Sequence, residues 1–133
     1  MIILSPAEQE YLRQIYLFCK REEKISTNSL ALLVNTKPAS VTDMLQKLAK
    51  KGLIIYIKYY GCSLSMSGKM EALNIVRKRV LWEILLVRKL GLDKQEAGAI
   101  AAQMQSISSQ ELIDKLSIFL DYPRHDIRGE ILL

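Results

Sequence analysis

Residues 37–69 decide the fold, and they read KPASVTDMLQKLAKKGLIIYIKYYGCSLSMSGK. Pro38 suits the first turn of a helix, and Gly52 stands where a helix commonly ends. Between these two residues, apolar side chains recur at helical spacing, at positions Val41, Met44, Leu45 and Leu48. This part of the stretch therefore predicts a helix that begins at Pro38 and ends before Gly52.

A β-hairpin is predicted directly after this helix. Leu53–Tyr60 is β-branched and aromatic and has no helical period, which is typical of a strand. Gly61 and Cys62 form a turn signal, and residues 62–66 alternate as a returning strand does. We expect the hairpin to close at residues 67–69, where the next helix starts.

Two shorter helical patterns precede this stretch. Ser5-Pro6 is suited to cap and open a first helix that runs to about Arg21. Residues 26–28 offer a second cap, and residues 29–34 form a short helix behind it. About four residues separate this short helix from the one that Pro38 opens, which indicates a helix-turn-helix. A helix-turn-helix followed by a small hairpin is a winged helix.

The remainder of the chain is predicted to be helical. Residues 69–90 form the longest helical pattern and carry a broad apolar face. Asp93 is predicted to cap a helix of residues 93–106, whose many small residues let another helix approach closely. Ser108 is predicted to cap a last helix of residues 109–121.

The apolar faces of these three helices indicate a homodimer. They exceed what one small domain can cover, and helix-turn-helix proteins commonly read two half-sites. The alternative is a monomer in which the same faces form a plain core. We therefore expect a mainly α protein, with a winged helix-turn-helix DNA-binding domain at residues 1–70 and an α-helical dimerisation domain at residues 71–133.

The charge of the chain is unevenly distributed. The 133 residues carry a net charge of +5. Residues 1–91 contain 15 Lys/Arg and 7 Asp/Glu, whereas residues 92–133 contain 4 and 7. The basic part predicts an anionic partner, either nucleic acid or a membrane surface. A membrane role lacks a basic helix with an apolar insertion face that the core does not need, so nucleic acid is favoured.

Compartment signals point to the cytoplasm. No apolar run reaches the ~18 residues of a transmembrane helix. Residues 1–6 lack the basic and apolar regions of a signal peptide. Cys19 and Cys62 stand alone in different elements, which argues against a disulfide framework and for a reducing environment.

Lysines concentrate around the predicted third helix and hairpin. Residues 35–69 contain six lysines and one acid. A recognition helix places its N-terminal residues in the major groove of DNA. The candidate groove residues are Lys37, Pro38, Ala39, Ser40, Thr42, Asp43 and, one turn further, Gln46.

Each candidate suits a particular contact. Ala39 and the methyl of Thr42 are suited to a thymine methyl, and the hydroxyls of Ser40 and Thr42 to base edges or phosphates. Gln46 is suited to adenine or a phosphate. The carboxylate of Asp43 repels phosphate. The remaining interpretations are that it accepts a hydrogen bond from a cytosine or caps the backbone locally.

The remaining lysines and the wing are expected to contact the DNA backbone. Such contacts give position and affinity but carry no sequence information. For any single lysine, the alternative to a DNA contact is a side chain that is merely solvated. For Tyr56, the alternative is a position in the hydrophobic core. The backbone candidates are Lys47, Lys50, Lys51, Lys58 and Lys69, with Tyr59, Tyr60 and Ser65 on the wing.

Residues 38–68 resemble the winged-helix region of the diphtheria-toxin-repressor and manganese-transport-regulator family. The shared features are a Pro-Ser-Ser-Val-Thr-like start, a Lys-Leu pair, Gly-Leu, a tyrosine-rich wing tip and a Leu-Thr-x-x-Gly close. Weaker likeness lies in residues 10–16, 80–86, 90–93 and 122–129. The resemblance implies a transcriptional regulator, expected to act as a repressor. The iron-dependent members carry an SH3-like domain that does not follow here, so the manganese-type architecture fits better.

The resemblance also implies activation by Mn²⁺ or Fe²⁺, but most ligand positions are changed. The first-helix carboxylates fall on Glu10 and Arg13, and the long-helix histidine falls on Arg79. The later cluster falls on Ala101, Met104 and Gln105. These metals prefer carboxylate and imidazole ligands, so only Glu10 is suitable. We expect no metal there and no cofactor, and we hypothesise that Arg13 and Arg79 pair with Glu10 and Glu83 instead.

Other functions find little support in the residues. The remaining metal-ligand types, His125, Asp121 and Asp126 with the cysteines, do not form a motif. Cys62 is either an oxidation sensor or a small residue without a role. No catalytic motif is present, so we do not expect an enzyme. The alternative to a DNA-binding regulator is a protein-interaction module that kept a winged helix, and the sequence leaves the effector open.

Overall fold

The computed structural model describes residues 3–129. The chain divides into two compact units, Met1–Asn74 and Ile75–Leu133. The boundary falls within one long helix, Met66–Ile84. The domain limits of 1–70 and 71–133 stay a prediction, since a compact unit is not by itself a domain of known activity. No helix among residues 3–129 is both long and apolar enough to cross a membrane.

The first unit has the element order of a winged helix. Helices α1 and α2 are followed by α3, a two-stranded antiparallel sheet and the start of α4. Strand β1 pairs with β2 from Ile54 opposite Leu64 to Ile57 opposite Gly61. The elements are α1 Pro6–Cys19, α2 Thr27–Leu33, α3 Pro38–Lys50, β1 Ile54–Ile57 and β2 Gly61–Leu64.

Local chemistry explains where these helices begin and end. At the start of α1, the Ser5 hydroxyl accepts from the Glu8 N–H at 3.1 Å, and the Ser5 N–H donates to Glu8 Oε1 at 2.9 Å. Ser26 caps α2 by accepting from the Ser29 N–H at 3.1 Å. Gly52 follows α3 with φ +75°, the left-handed conformation expected of a residue just beyond a helix.

The hairpin is shorter than predicted, and the backbone of a neighbouring segment approaches closely at Gly61 and again at Gly68. Ile25 exchanges two backbone hydrogen bonds of 2.9 Å with Cys62, which adds a third segment to the sheet. A Cβ on Gly61 would overlap the Ile25 carbonyl oxygen, and one on Gly68 would overlap that of Leu53. Only glycine fits such close backbone approaches.

The second unit consists of helices packed around an apolar cluster. The long helix α4 begins at Met66 rather than Lys69, and its last residues form a π-helical segment. Ser109, not Ser108, caps the last helix by accepting from the Leu112 N–H at 3.2 Å. The elements are α4 Met66–Ile84, its π-helical continuation Leu85–Lys89, α5 Lys94–Met104 and α6 Gln110–Phe119.

Two small residues of α5 pack inside this unit. Ala97 and Ala101 are fully buried, whereas Ala99 is exposed. Their short side chains let α5 approach its neighbours closely, as the sequence predicted for a helix of this composition. The buried cluster consists of Leu81, Trp82, Leu86, Ala97, Ala101, Ile113 and Leu116.

Candidate nucleic-acid interface

Helix α3 has one buried face and one exposed polar face. Val41, Leu45 and Leu48 are 0% exposed and anchor the helix in the core. The i, i+4, i+7 spacing of these three residues places the remaining positions on the solvent side. Thr42 is half-buried, and the exposed residues are Lys37, Pro38, Ala39, Ser40, Asp43, Gln46, Lys47 and Lys50. The structure therefore brings the groove candidates together on one surface, which we call the α3 face.

The hydroxyl of Thr42 has a partner within α3. Its Oγ1 donates to the Pro38 carbonyl oxygen at 3.1 Å. This bond uses the only hydroxyl proton, so Thr42 faces a ligand as an acceptor and as a methyl group. By contrast, Lys37 precedes the helix without making a side-chain cap.

The tip of the hairpin is exposed and basic. Tyr59 is 91% exposed and has φ +72°, a left-handed conformation that is uncommon for a bulky residue. The Nζ of Lys58 lies 5.3 Å from the centre of the Tyr59 ring. Lys69, in the first turns of α4, is also exposed. Lys58 and Lys69 thus carry positive charge on long, exposed side chains, which suits contacts to phosphate.

Two residues predicted to contact DNA are held by the protein itself. The Nζ of Lys51 lies 2.5 Å from Oε2 of Glu8. The Ser65 hydroxyl donates to the Gly52 carbonyl oxygen at 2.6 Å and accepts from the Gly68 N–H at 3.0 Å. Both contacts join elements of the winged helix, so we assign Lys51 and Ser65 structural roles. Tyr56 is half-buried.

Glu8 is a buried carboxylate with a lowered pKa. Burial alone raises the pKa of such a group, because the charged form loses its water. Hydrogen bonds from Lys51 and Ser5, together with the charge of Lys51, outweigh burial and lower the pKa below its ordinary value. Glu8 therefore stays ionised at neutral pH and is matched by one lysine.

Sequence reasoning missed Glu8 and Lys24. The Ser5-x-x-Glu8 spacing is a capping-box signature and was readable, but nothing local pointed to a lysine 43 residues away. The Nζ of Lys24 lies 5.1 Å from the centre of the Tyr60 ring, and both residues are exposed. Lys24 thus adds a positive charge beside the wing that only the folded hairpin reveals.

The family's metal-ligand positions hold ion pairs and hydrogen bonds. In the first unit, Arg13 Nη1 lies 2.8 Å from Glu10 Oε1, which also accepts from Gln14 at 3.0 Å. In the second unit, Arg79 Nε lies 3.7 Å from Glu83 Oε1, and Arg79 Nη1 donates to Gln105 at 3.3 Å. The two hypothesised pairs, Arg13 with Glu10 and Arg79 with Glu83, are present.

These residues do not fit a divalent cation. A guanidinium stands at two of the ligand positions and repels a dication, and neither Ala101 nor Met104 offers oxygen or imidazole. Within residues 3–129, no group of three His, Cys, Asp or Glu side chains is arranged to hold a metal ion. His125 and Asp121 are exposed.

Cys62 lies in β2, where its backbone pairs with Ile25, and its side chain is 2% exposed. Burial and, secondarily, the nearby Cys19 raise the pKa of the Cys62 thiol to about 12. Burial also raises the pKa of Cys19, although the charge of Lys69 opposes that effect. Because the thiolate is the reactive form, this environment does not favour oxidation sensing at Cys62.

Two family models together match nearly the whole chain. The model described as "Iron dependent repressor, N-terminal DNA binding domain" matches residues 3–62. The model described as "Iron dependent repressor, metal binding and dimerisation domain" matches residues 65–131. The boundary between the matches falls at the end of the hairpin.

Individual relatives agree with this result. The metal-dependent transcriptional regulator MtsR is similar with a TM-score of 0.87 and 29% identity, over 97% of this chain and 60% of that one. A manganese-dependent transcriptional repressor in complex with manganese gives a TM-score of 0.86 and 28% identity, over 94% and 57%. This chain thus spans less than two thirds of either solved chain.

A relative of similar length completes the comparison. An uncharacterised HTH-type transcriptional regulator of Methanocaldococcus jannaschii is 38% identical over 119 residues, which are 89% of this chain and 95% of that protein. A hypothetical protein from Sulfolobus solfataricus is similar with a TM-score of 0.75 and 29% identity, over 98% and 99%. The resemblance predicted from residues 38–68 is confirmed: the chain belongs to the iron-dependent repressor family of DNA-binding transcriptional regulators.

Proposed function

We propose that this protein is a homodimeric repressor that reads DNA through the α3 face and does so without a bound metal. The observation that carries the proposal is the division of α3 into two faces. Its apolar residues are buried and fix the helix, whereas Lys37 and seven polar or small residues of α3 itself face solvent. A helix fixed in this way keeps its position in the domain while its exposed face enters the major groove.

Within the α3 face, the short residues are proposed to read bases. Ala39, Ser40 and Thr42 lie in the first turns of α3, the part of a recognition helix that approaches base edges. Lys47, Lys50, Lys58 and Lys69 are proposed to contact phosphates, with Tyr59 beside them. Lys51 is not proposed as a phosphate contact, because its ammonium group already pairs with the Glu8 carboxylate.

The homodimer proposal rests on the second unit. That unit exposes several large apolar side chains on α6, where Ile118 and Phe119 are 59% and 62% exposed. Burying such residues against a second copy is favourable. The matched family model describes this part of its members as a dimerisation domain. A two-fold dimer would read two half-sites separated by about 34–36 Å, one turn of DNA.

The proposed independence from metal follows from the ligand positions. Arg79, which replaces the long-helix histidine, already lies against Glu83 and Gln105. A metal ion brought to these residues would meet a fixed positive charge. As a member of this family of DNA-binding regulators, the protein is proposed to act in the cytoplasm.

Selection of bound duplexes from a random DNA pool tests the proposal. We expect enrichment of a two-fold symmetric sequence, and the same sequence in excess EDTA and in added Mn²⁺. Enrichment that depends on Mn²⁺ would contradict metal independence. If no sequence is enriched and binding shows no salt dependence, the protein is instead an interaction module with a winged-helix fold.

A further inference from the structure

Arg79 joins two helices of the second unit. It lies on α4, its side chain is 14% exposed, and its two terminal nitrogens reach α5. Nη1 donates to Oε1 of Gln105 at 3.3 Å, and Nη2 donates to the carbonyl oxygen of Gly98 at 3.4 Å. Gln105 is 3% exposed, so this contact lies away from solvent.

The geometry of α5 explains how one side chain reaches both acceptors. Gly98 and Gln105 are seven residues apart, two helical turns on the same face. The carbonyl of Gly98 points toward the C-terminus of α5, whereas the side chain of Gln105 leans toward the N-terminus. The two oxygens therefore converge on the intervening turn. Ala101, which lies between them on this face, has only a methyl group there.

The charge of Arg79 is balanced without an external ion. Its Nε lies 3.7 Å from Oε1 of Glu83, four residues further along α4. The two acceptors on the α5 side are neutral oxygens, which accept from Nη1 and Nη2 and add no charge. Arg79 is thus a largely buried cation that faces a carboxylate on α4 and two hydrogen-bonding oxygens on the α5 side.

We infer that Arg79 is a built-in cation that ties α4 to α5 at the place where the family resemblance puts metal ligands. We call this contact the Arg79 tether. Two of the inherited ligand positions, 79 and 105, now hydrogen-bond each other directly. The second unit is therefore held in one arrangement whether or not a metal is present. This inference deepens the proposed metal independence and rests on it.

Arginine is required for the tether, and lysine is not an adequate substitute. The guanidinium is planar and presents several N–H donors in a fixed fork, so it can bond two separated oxygens at once. A lysine ammonium is a compact, strongly hydrated point charge and cannot bond two separated oxygens in this way. The conservative Arg79→Lys substitution thus keeps the charge but loses the geometry.

Thermal unfolding measured by tryptophan fluorescence tests the tether. Trp82 is the only tryptophan of the chain and lies buried in the α4–α5–α6 cluster, so its emission reports on the second unit. The variants are Arg79→Lys and Arg79→Gln, with Arg124→Lys, at an exposed position of the second unit, as the matched control. Each is melted in excess EDTA and in added MnCl₂.

We expect both Arg79 variants to melt about 4–8 °C below the wild type, the shift typical of losing one such contact in a unit of this size. The Arg124 control and the wild type should melt together, with and without Mn²⁺. If Arg79→Lys melts like the wild type, the tether is overturned while the DNA-binding proposal stands. If Mn²⁺ raises the melting temperature of the wild type, metal independence is overturned as well.

Discussion

The Nζ of Lys51 lies 2.5 Å from a carboxylate oxygen of Glu8, although 43 residues separate them in the chain. Glu8 belongs to the first turn of α1, and Lys51 follows the last residue of α3. The pair therefore fixes the C-terminal end of α3 to the start of α1. Lys51 and its neighbour Lys50 are both exposed, but Lys51 carries this ion pair with Glu8.

Lys50 and Lys51 should respond differently to alanine. Lys51→Ala leaves the buried Glu8 carboxylate without its charged partner, and should lower the free energy of unfolding by about 2 kcal/mol. Lys50→Ala should leave stability within about 0.5 kcal/mol and weaken DNA binding instead. Chemical denaturation followed by circular dichroism, alongside DNA titration, distinguishes the two. Equal loss of stability in both variants would contradict the assignment.

The Glu8–Lys51 pair should make stability depend on pH in the acid range. The pKa of Glu8 is lower in the folded protein than in the unfolded chain. As the pH falls, the unfolded chain therefore binds a proton at this carboxylate before the folded protein does. The stabilisation is fully present above the ordinary carboxyl pKa of about 4.3, and it is lost as the pH falls through the lower pKa of the folded protein.

The measurement is the unfolding free energy of the wild type minus that of Glu8→Gln at several pH values. The difference should be largest at neutral pH and shrink in acid. A difference that is constant with pH would show that the charge of Glu8 contributes nothing.

Thr42 should affect which DNA sequence is bound. Thr42→Ala removes both the methyl and the hydroxyl, and should change the preferred base at one position of a selected site, with a cost of about 1–3 kcal/mol there. Thr42→Ser keeps the hydroxyl and loses only the methyl, so it separates a thymine contact from a hydrogen bond. Equal loss of affinity on every sequence would exclude base reading by Thr42.

Lys58 should contribute affinity without sequence preference. Each phosphate contact contributes about −0.9 to the slope of log affinity against log salt concentration. Lys58→Ala should reduce the steepness of that slope by about 0.9 per protomer and weaken all sequences alike. Lys115→Ala, an exposed lysine on α6, is the control and should change neither quantity. An unchanged slope for Lys58→Ala would remove the wing tip from the interface.

Gly68 should be essential to the winged helix, whereas Gly52 should tolerate change. A Cβ at Gly68 would overlap the Leu53 carbonyl, so Gly68→Ala should cost about 3 kcal/mol or more. Gly52 has open space but φ +75°, and Gly52→Ala should cost about 1–2 kcal/mol. Melting curves of the two variants test this order, and a milder effect at Gly68 would contradict the close backbone approach at the base of the hairpin.

Most of the fold was predictable because its signals are local. Ser5, Pro38 and Gly52 mark helix ends by their own backbone chemistry, and the β-branched run after Gly52 indicates a strand. Several boundaries differ from the predicted ones by one to three residues, among them the start of α4 at Met66, the cap at Ser109 and the ends of the hairpin strands. Two serines stand near each of these helix starts, Ser65 and Ser67 at the first and Ser108 and Ser109 at the second, so the sequence offered more than one cap.

The candidate site was only partly predictable. The exposure of the α3 face follows from helical periodicity, which the spacing of Val41, Leu45 and Leu48 makes plain. The role of Lys51 does not follow from helical periodicity, because it depends on Glu8, a buried carboxylate 43 residues away in the chain. The hydrogen bond from Arg79 to Gln105 likewise needs the packed helices, although the family resemblance had placed both residues at one ligand site.

Binding to a selected DNA site with and without metal is the most direct test of the central proposal. A labelled duplex is titrated with the wild-type protein in excess EDTA and again in added Mn²⁺, at fixed salt, and the dissociation constant is read from fluorescence anisotropy. We predict the same dissociation constant in both conditions. A value tenfold or more tighter with Mn²⁺, about 1.4 kcal/mol of binding free energy, would show that a metal still controls this repressor.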